Sequence, residues 1–225
     1  MRWWVLSLAV GVAFAQPVPI FHNETLNYTL NWPSGLSLGE AQMSAARSGP
    51  GKWQFSLKLD ASVPGFAVLD RYRSSAGDDF CSVELEKETQ HGTRKGGEKT
   101  TFDKDSGKAT RTTKEGGKSE LTIPACARDA VAFFYYLRRE LANGRVPSPQ
   151  TVYFGAPYQC RFEYGGAQRV RVGEERIEAD RMVVTIKGPA SNLSVEIFFQ
   201  RDAPRTPVLA RIPLLLGTFS LELTR

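Results

Sequence analysis

The chain has 225 residues, 41% hydrophobic and 24% charged, with a formal net charge of +5 at pH 7. A chain of this size can bury a substantial core without a metal or several disulfides, and its mixed charge, with no concentrated basic stripe, argues against a nucleic-acid partner. Three cysteines and two histidines, none at ligand spacing, lead us to expect neither a metal site nor a cofactor.

Residues Met1 to Ala15 read as a secretory leader. Arg2 precedes an apolar run from Trp3 to Phe14, and Ala13-Phe14-Ala15 is the small-x-small pattern of a cleavage site, placing the cut between Ala15 and Gln16. A dozen apolar residues span only about 18 Å as a helix, too short for a bilayer core of about 30 Å, so no transmembrane anchor is expected. The expected location is therefore periplasmic or secreted, with residues 16–225 forming one β-rich domain.

From Leu26 onward the chain alternates like a series of strands. Leu26, Tyr28, Leu30 and Trp32 face one way, and Pro33-Ser34-Gly35 supplies a turn. The alternation shifts at Gly39, which predicts a bulge, and Ser48-Gly49-Pro50-Gly51 turns the chain again. Trp53, Phe55, Leu57, Leu59 and Ala61 then give the cleanest strand, with one dry and one wet face. After Val63-Pro64-Gly65, a further strand covers residues 66–73.

Between Glu84 and Glu120 nine basic and eight acidic residues balance one another. With Gly96-Gly97, Gly107 and Gly116-Gly117 read as turns, this region predicts long wet hairpins protruding from the core, with opposite charges paired across strands. Disorder is the alternative reading.

One helix is predicted, at about residues 127–142. Asp129 is its expected N-cap, Ala130, Phe133, Phe134, Leu137 and Leu141 repeat at helical spacing, and Asn143-Gly144 ends it. Arg138 and Arg139 fall in its closing turns, where cations suit the helix dipole. Strands follow at residues 151–154, 158–164, 168–172, 176–187, 193–201, 206–212 and 217–224. The expected fold is all-β and mainly antiparallel, a large curved half-barrel or barrel-like sandwich packed on that helix.

In an oxidising compartment Cys81, Cys126 and Cys160 imply one disulfide and one spare thiol. Spacing does not choose among the three pairings. Local context favours Cys81–Cys126, since each lies beside an irregular stretch while Cys160 sits in a strand-like run. No catalytic residues are assigned. The adjacent acids Asp78-Asp79 and Glu174-Glu175 read as turn residues, His22 and His91 as surface groups, and no nucleophile elbow or phosphate loop occurs. Asn23, Asn27 and Asn192 each begin an N-glycosylation triplet that matters only in a eukaryotic secretory pathway.

Two features suggest binding rather than catalysis. Phe133-Phe134-Tyr135-Tyr136 sets aromatics around the whole helix, and Ile212 to Leu216 is apolar on both faces. Phe133, Phe134, Leu137, Leu214 and Leu216 could therefore line an apolar groove between helix and sheet, with ordinary core packing as the plainer reading. The expected partner is a lipid, another envelope component or an envelope protein; the alternative role is envelope assembly through the charged region 84–120.

In motif order the chain resembles the bacterial family catalogued as domain of unknown function 3108. The matching pieces are residues 24–32 with Gly39, then Asp70-Arg71-Tyr72-Arg73, then 123–129 leading into 134–138, and finally 211–219. The resemblance implies an exported, mostly antiparallel β protein of Gram-negative envelopes, and it brings no activity or site residues with it.

Overall fold

The computed structural model describes residues 23–63, 66–190 and 192–224. The predicted leader, the Ala15/Gln16 cleavage site and His22 lie outside them.

Fourteen strands form one antiparallel sheet in the order β8-β7-β6-β5-β4-β3-β2-β1-β14-β13-β12-β11-β10-β9. The first eight are β1 (Glu24–Asn31), β2 (Ser37–Gly49), β3 (Lys52–Val63), β4 (Phe66–Gly77), β5 (Ser82–His91), β6 (Arg94–Asp103), β7 (Lys108–Thr113) and β8 (Lys118–Thr122). Helix α1 (Ala130–Ala142) follows, then β9 (Gln150–Tyr153), β10 (Pro157–Val172), β11 (Glu175–Lys187), β12 (Asn192–Gln200), β13 (Pro207–Leu214) and β14 (Gly217–Leu223). Pairing of β1 with β14 joins the two halves of the chain at the middle of the sheet.

A twisted sheet this wide must curl, and here it curls around α1. The β9 edge is brought against the inner face of the opposite half by side chains, and Tyr153 also forms an isolated bridge with Asp129 at the start of the helix. Tyr153 meets Phe102 of β6 edge-on at 5.9 Å, and Phe154 meets Tyr72 of β4 at 5.0 Å.

Because every hairpin reverses direction, the turns alternate between two ends. The turns β1–β2, β3–β4, β5–β6, β7–β8, β9–β10, β11–β12 and β13–β14 share one end. Helix α1 connects β8 to β9 at the other.

The helix is held there by specific chemistry. Asp129 is fully buried; its carboxylate accepts from the Val131 and Ala132 amides and from the Ser74 and Ser82 hydroxyls. Cys81–Cys126 ties the β4–β5 loop to the segment entering the helix, with 4.9 Å between Cα atoms. Asp79 is close to these sulfurs, but two oxidised thiols leave it as the sole available ligand.

Sheet flanks the helix on both sides, which explains its ring of aromatics. Tyr135 stacks on Phe55 at 4.4 Å in one core cluster, while Phe133 and Leu137 pack with Phe162, Met182 and Phe199 in another. A third cluster gathers Val170, Val172 and Ile177 of the β10–β11 hairpin against Phe198 and Val208.

Several expectations are corrected. The 84–120 region does not protrude as wet hairpins; β5 to β8 continue the sheet, with Leu85, Phe102 and Ala109 in the core. Gly96-Gly97 lies within β6, paired with Glu88 and Thr89, and the turn is at Gly92 instead. The predicted strands 158–164 and 168–172 are one strand with an irregularity between Tyr164 and Ala167. Arg138 does not serve the helix dipole: its fully buried guanidinium donates to both Glu24 carboxylate oxygens and to the Pro204 and Arg205 carbonyls.

Candidate binding chamber

Between α1 and the concave face of the sheet lies open apolar space in two lobes of about 270 Å³ each. Ala130, Phe134, Phe154 and Ile197 border both lobes, so they form the partition. The first lobe has Phe133 and Leu137 of the helix as its floor and Val152, Cys160, Phe162 and Val184 as walls. The second is walled by Met43 and Leu57 on one side and by Leu209, Ile212 and Leu221 on the other. Small side chains keep it open: Ala41, Ala130 and Ala210 stand where larger ones would meet.

Alternation in the strands explains the apolar character. In β3, Leu57 points inward because Phe55 and Ala61 on the same face are buried. The lining is almost wholly hydrocarbon. The Tyr28 hydroxyl, on the wall of the second lobe, donates to the Pro207 carbonyl at 3.0 Å. Burial pushes the Cys160 thiol up to about 11, so it stays protonated and is no nucleophile at neutral pH.

Beyond Phe154 the inner face becomes polar. The Lys87 ammonium lies 4.0 Å from the Phe154 ring and pairs with Glu98 at 2.9 Å, and Arg111 Nε donates to the other Glu98 oxygen at 2.6 Å. Burial pushes the Glu98 carboxyl up, but the hydrogen bonds from Lys87 and Arg111 outweigh it and hold the group below its ordinary value. Nearby, Tyr72 donates to Asp70 at 2.8 Å and His91 Nε2 lies 2.9 Å from the other Asp70 oxygen. Burial first, then the bond to Asp70, raises the Tyr72 pKa. Histidine and tyrosine both point at the carboxylate and not at each other, so the cluster forms no nucleophile–base pair.

Of the groove residues expected from sequence, Phe133, Phe134 and Leu137 line the first lobe together. Leu214 and Leu216 do not. They stand exposed on the β13–β14 turn, where Gly217, at φ +121°, reverses the chain. That part of the wall is built instead by Leu209, Ala210 and Ile212, one hairpin arm earlier. The expected Cys81–Cys126 bridge is present and Cys160 is a free, buried thiol. Sequence reasoning missed Ala41, Met43, Ala210 and Ile197 as lining residues. Their inward parity was legible, but parity does not distinguish a position facing space from one facing a neighbour.

No helix among the described residues is long and apolar enough to cross a membrane. A solved structure from Brucella abortus, described as a β-barrel-like protein of domain of unknown function DUF1849, superposes with a TM-score of 0.68 at 8% identity. The match covers 91% of this chain and 96% of that one, which establishes likeness of fold alone. No curated protein matches the chain. The family model described as protein of unknown function (DUF3108) matches residues 27–224.

Proposed function

We propose, for a chain that belongs to the DUF3108 family of proteins of unknown function, that it is a non-enzymatic binding protein holding an apolar or amphipathic molecule in the chamber between helix and sheet. The observation that carries this reading is the open space itself. Close-packed interiors leave few voids larger than a water, whereas two lobes of about 270 Å³ meet here at Phe134 and Ile197. Together they reach the size of small-molecule sites, which are concave and mostly apolar. Lys87 and Tyr72, in contact with Phe154 at the chamber's polar border, could meet a polar head group.

The same reading makes the protein an exported one, working in the periplasm or outside the cell. The leader-like composition of Met1 to Ala15 and the Cys81–Cys126 bridge support it. The alternative of an assembly factor acting through residues 84–120 draws less support. Much of that region's charge is spent internally, as in Lys99 with Glu84 and Lys108 with Glu120.

Native mass spectrometry of protein recovered from the exported fraction tests the reading, together with a fluorescent apolar probe. The wild type should carry mass adducts of lipid size and bind the probe. Ala130→Phe, placed where the lobes meet, should weaken probe binding at least about tenfold while the melting temperature stays near wild type. A wild type without adducts, and a probe indifferent to this substitution, would refute the chamber as a binding site.

A further inference from the structure

The end of the molecule opposite the helix has a composition of its own. Strand direction places the β1–β2, β3–β4, β5–β6 and β13–β14 turns there together. The β13–β14 turn presents Leu214, Leu215 and Leu216, of which Leu215 is fully exposed and Leu216 71% exposed. Leu36, 67% exposed, sits on the β1–β2 turn. These two turns touch, since Trp32 meets Phe219 edge-on at 4.9 Å and a Cβ on Gly217 would come within 2.7 Å of Pro33. Phe66, also exposed, begins β4 and lies against Gly92 of the β5–β6 turn. Among the described residues, four leucines on two touching turns and a half-exposed phenylalanine at the start of β4 thus stand at one end of the molecule. Such a patch is unusual for a surface in contact only with water.

Charge distinguishes the same end. Counting each hairpin turn with the strand residue on either side, it carries Arg94, Lys114, Lys118 and Lys187 against Glu115, a net +3. Lys114 and Lys118 also lie within 3.5 and 3.7 Å of Glu88 and Glu120, in exposed pairs that screen their charge only weakly. The hairpin turns at the helix end come to −2 on the same count, with the acidic pairs Asp78-Asp79 and Glu174-Glu175 among them, and the β8–α1–β9 connection, with four arginines against Asp129 and Glu140, brings that end to neutral. Leucines on the two central turns, with Lys187 on the next turn and Arg94, Lys114 and Lys118 farther along the same end, match an anionic bilayer, whose head groups attract basic residues while its acyl boundary accepts apolar ones. A protein partner would more naturally meet a continuous packed face than separate tips.

We infer that this open end docks on the surface of an anionic lipid membrane, inserting Leu36 and Leu214 to Leu216 among the head groups. The inference deepens the chamber reading by stating where its ligand would enter. The helix end is closed by α1, the disulfide and the Arg138–Glu24 pair, so the opposite end is the face a membrane-derived molecule would approach. A bilayer pressed against that end would let an apolar ligand enter without crossing water.

Vesicle flotation of the protein recovered from the exported fraction tests this, using phosphatidylcholine vesicles with and without phosphatidylglycerol. The wild type should float with the anionic vesicles, less so with the zwitterionic ones, and lose binding as salt is raised. The triple substitution Leu214→Ser, Leu215→Ser, Leu216→Ser should weaken flotation at least about tenfold without moving the melting temperature, because these side chains are exposed. A second variant, Lys114→Gln with Lys118→Gln and Lys187→Gln, should remove the preference for anionic lipid. Ala130→Phe should float like the wild type, since filling the chamber leaves the tips unchanged. Absence of wild-type flotation, or equal flotation of the leucine variant, overturns the inference. If flotation fails while the probe still fills the chamber, docking is wrong and the chamber reading survives; the reverse pattern refutes the chamber alone. Leucine tips that instead bury against a co-purifying protein, with vesicles ignored, also overturn it.

Discussion

At the residue scale, a few buried polar groups join elements far apart in sequence. Arg138 is the clearest case: a fully buried guanidinium donating to Glu24 of the first strand and to two carbonyls of the β12–β13 loop. It joins helix, β1 and loop at one point. Arg138→Ala would leave the Glu24 carboxylate partly buried and uncompensated, and urea unfolding should show a loss of about 3–5 kcal/mol. Glu98 and Glu140 contribute to acid sensitivity. Hydrogen bonds from Lys87 and Arg111 hold Glu98 below its ordinary value against burial, and Arg145 chiefly does the same for Glu140. A carboxyl lowered in the folded state contributes stability above its unfolded pKa, and that contribution is lost as pH falls through the folded one. The melting temperature should therefore fall as pH drops below the ordinary glutamate value of 4.5, and less steeply in Glu98→Gln than in the wild type.

At the element scale, a bulge in β2 bends the sheet and one disulfide staples the β4–β5 loop to the start of the helix. Opposite Leu30 and Asn31 the pairing of β2 slips past Gly39. There φ is +154°, and a Cβ would overlap the Asp60 carbonyl oxygen and the Ala61 Cα on β3. Gly39→Ala should destabilise by about 1–3 kcal/mol, read by thermal melting. The shift in hydrophobic alternation at Gly39 marked this bulge in the sequence, because a one-residue slip moves every later side chain to the other face. The Cys81–Cys126 staple closes a separation of 45 residues. Cys81→Ser with Cys126→Ser should cost about 3 kcal/mol in urea, largely by freeing the unfolded chain. Gly96-Gly97 shows the limit of local reading: paired glycines look like a turn, yet cross-strand partners on β5 keep them extended.

At the scale of the whole molecule, the helix, the disulfide and the Arg138–Glu24 pair stand at one end and the exposed leucine-bearing turns at the other. Both proposals follow from that polarity, the chamber from the space under the helix and the docking surface from the leucine-tipped turns. They predict separable behaviour, since Ala130→Phe acts on the first and the Leu214–Leu216 substitutions on the second. The likeness to the β-barrel-like DUF1849 structure at 8% identity shows that this curl survives near-complete replacement of side chains. Patterning, not particular residues, specifies it.

By itself the sequence determined the element types, the helix with its Asp129 cap, the bulge at Gly39, the favoured disulfide and the parity of the strands. Each rests on a spacing of two or 3.6 residues or on a local cap, and such signals are carried within a few neighbours. Only the tertiary structure decided that β5 to β8 join the sheet, that Arg138 serves Glu24, and that Leu214 and Leu216 belong to a rim and not to a groove. These depend on contacts between residues far apart in sequence, as Arg138 and Glu24 are at 114 positions. Parity tells which side chains turn inward; only the curl of the sheet tells whether they meet a neighbour, a cavity or the solvent.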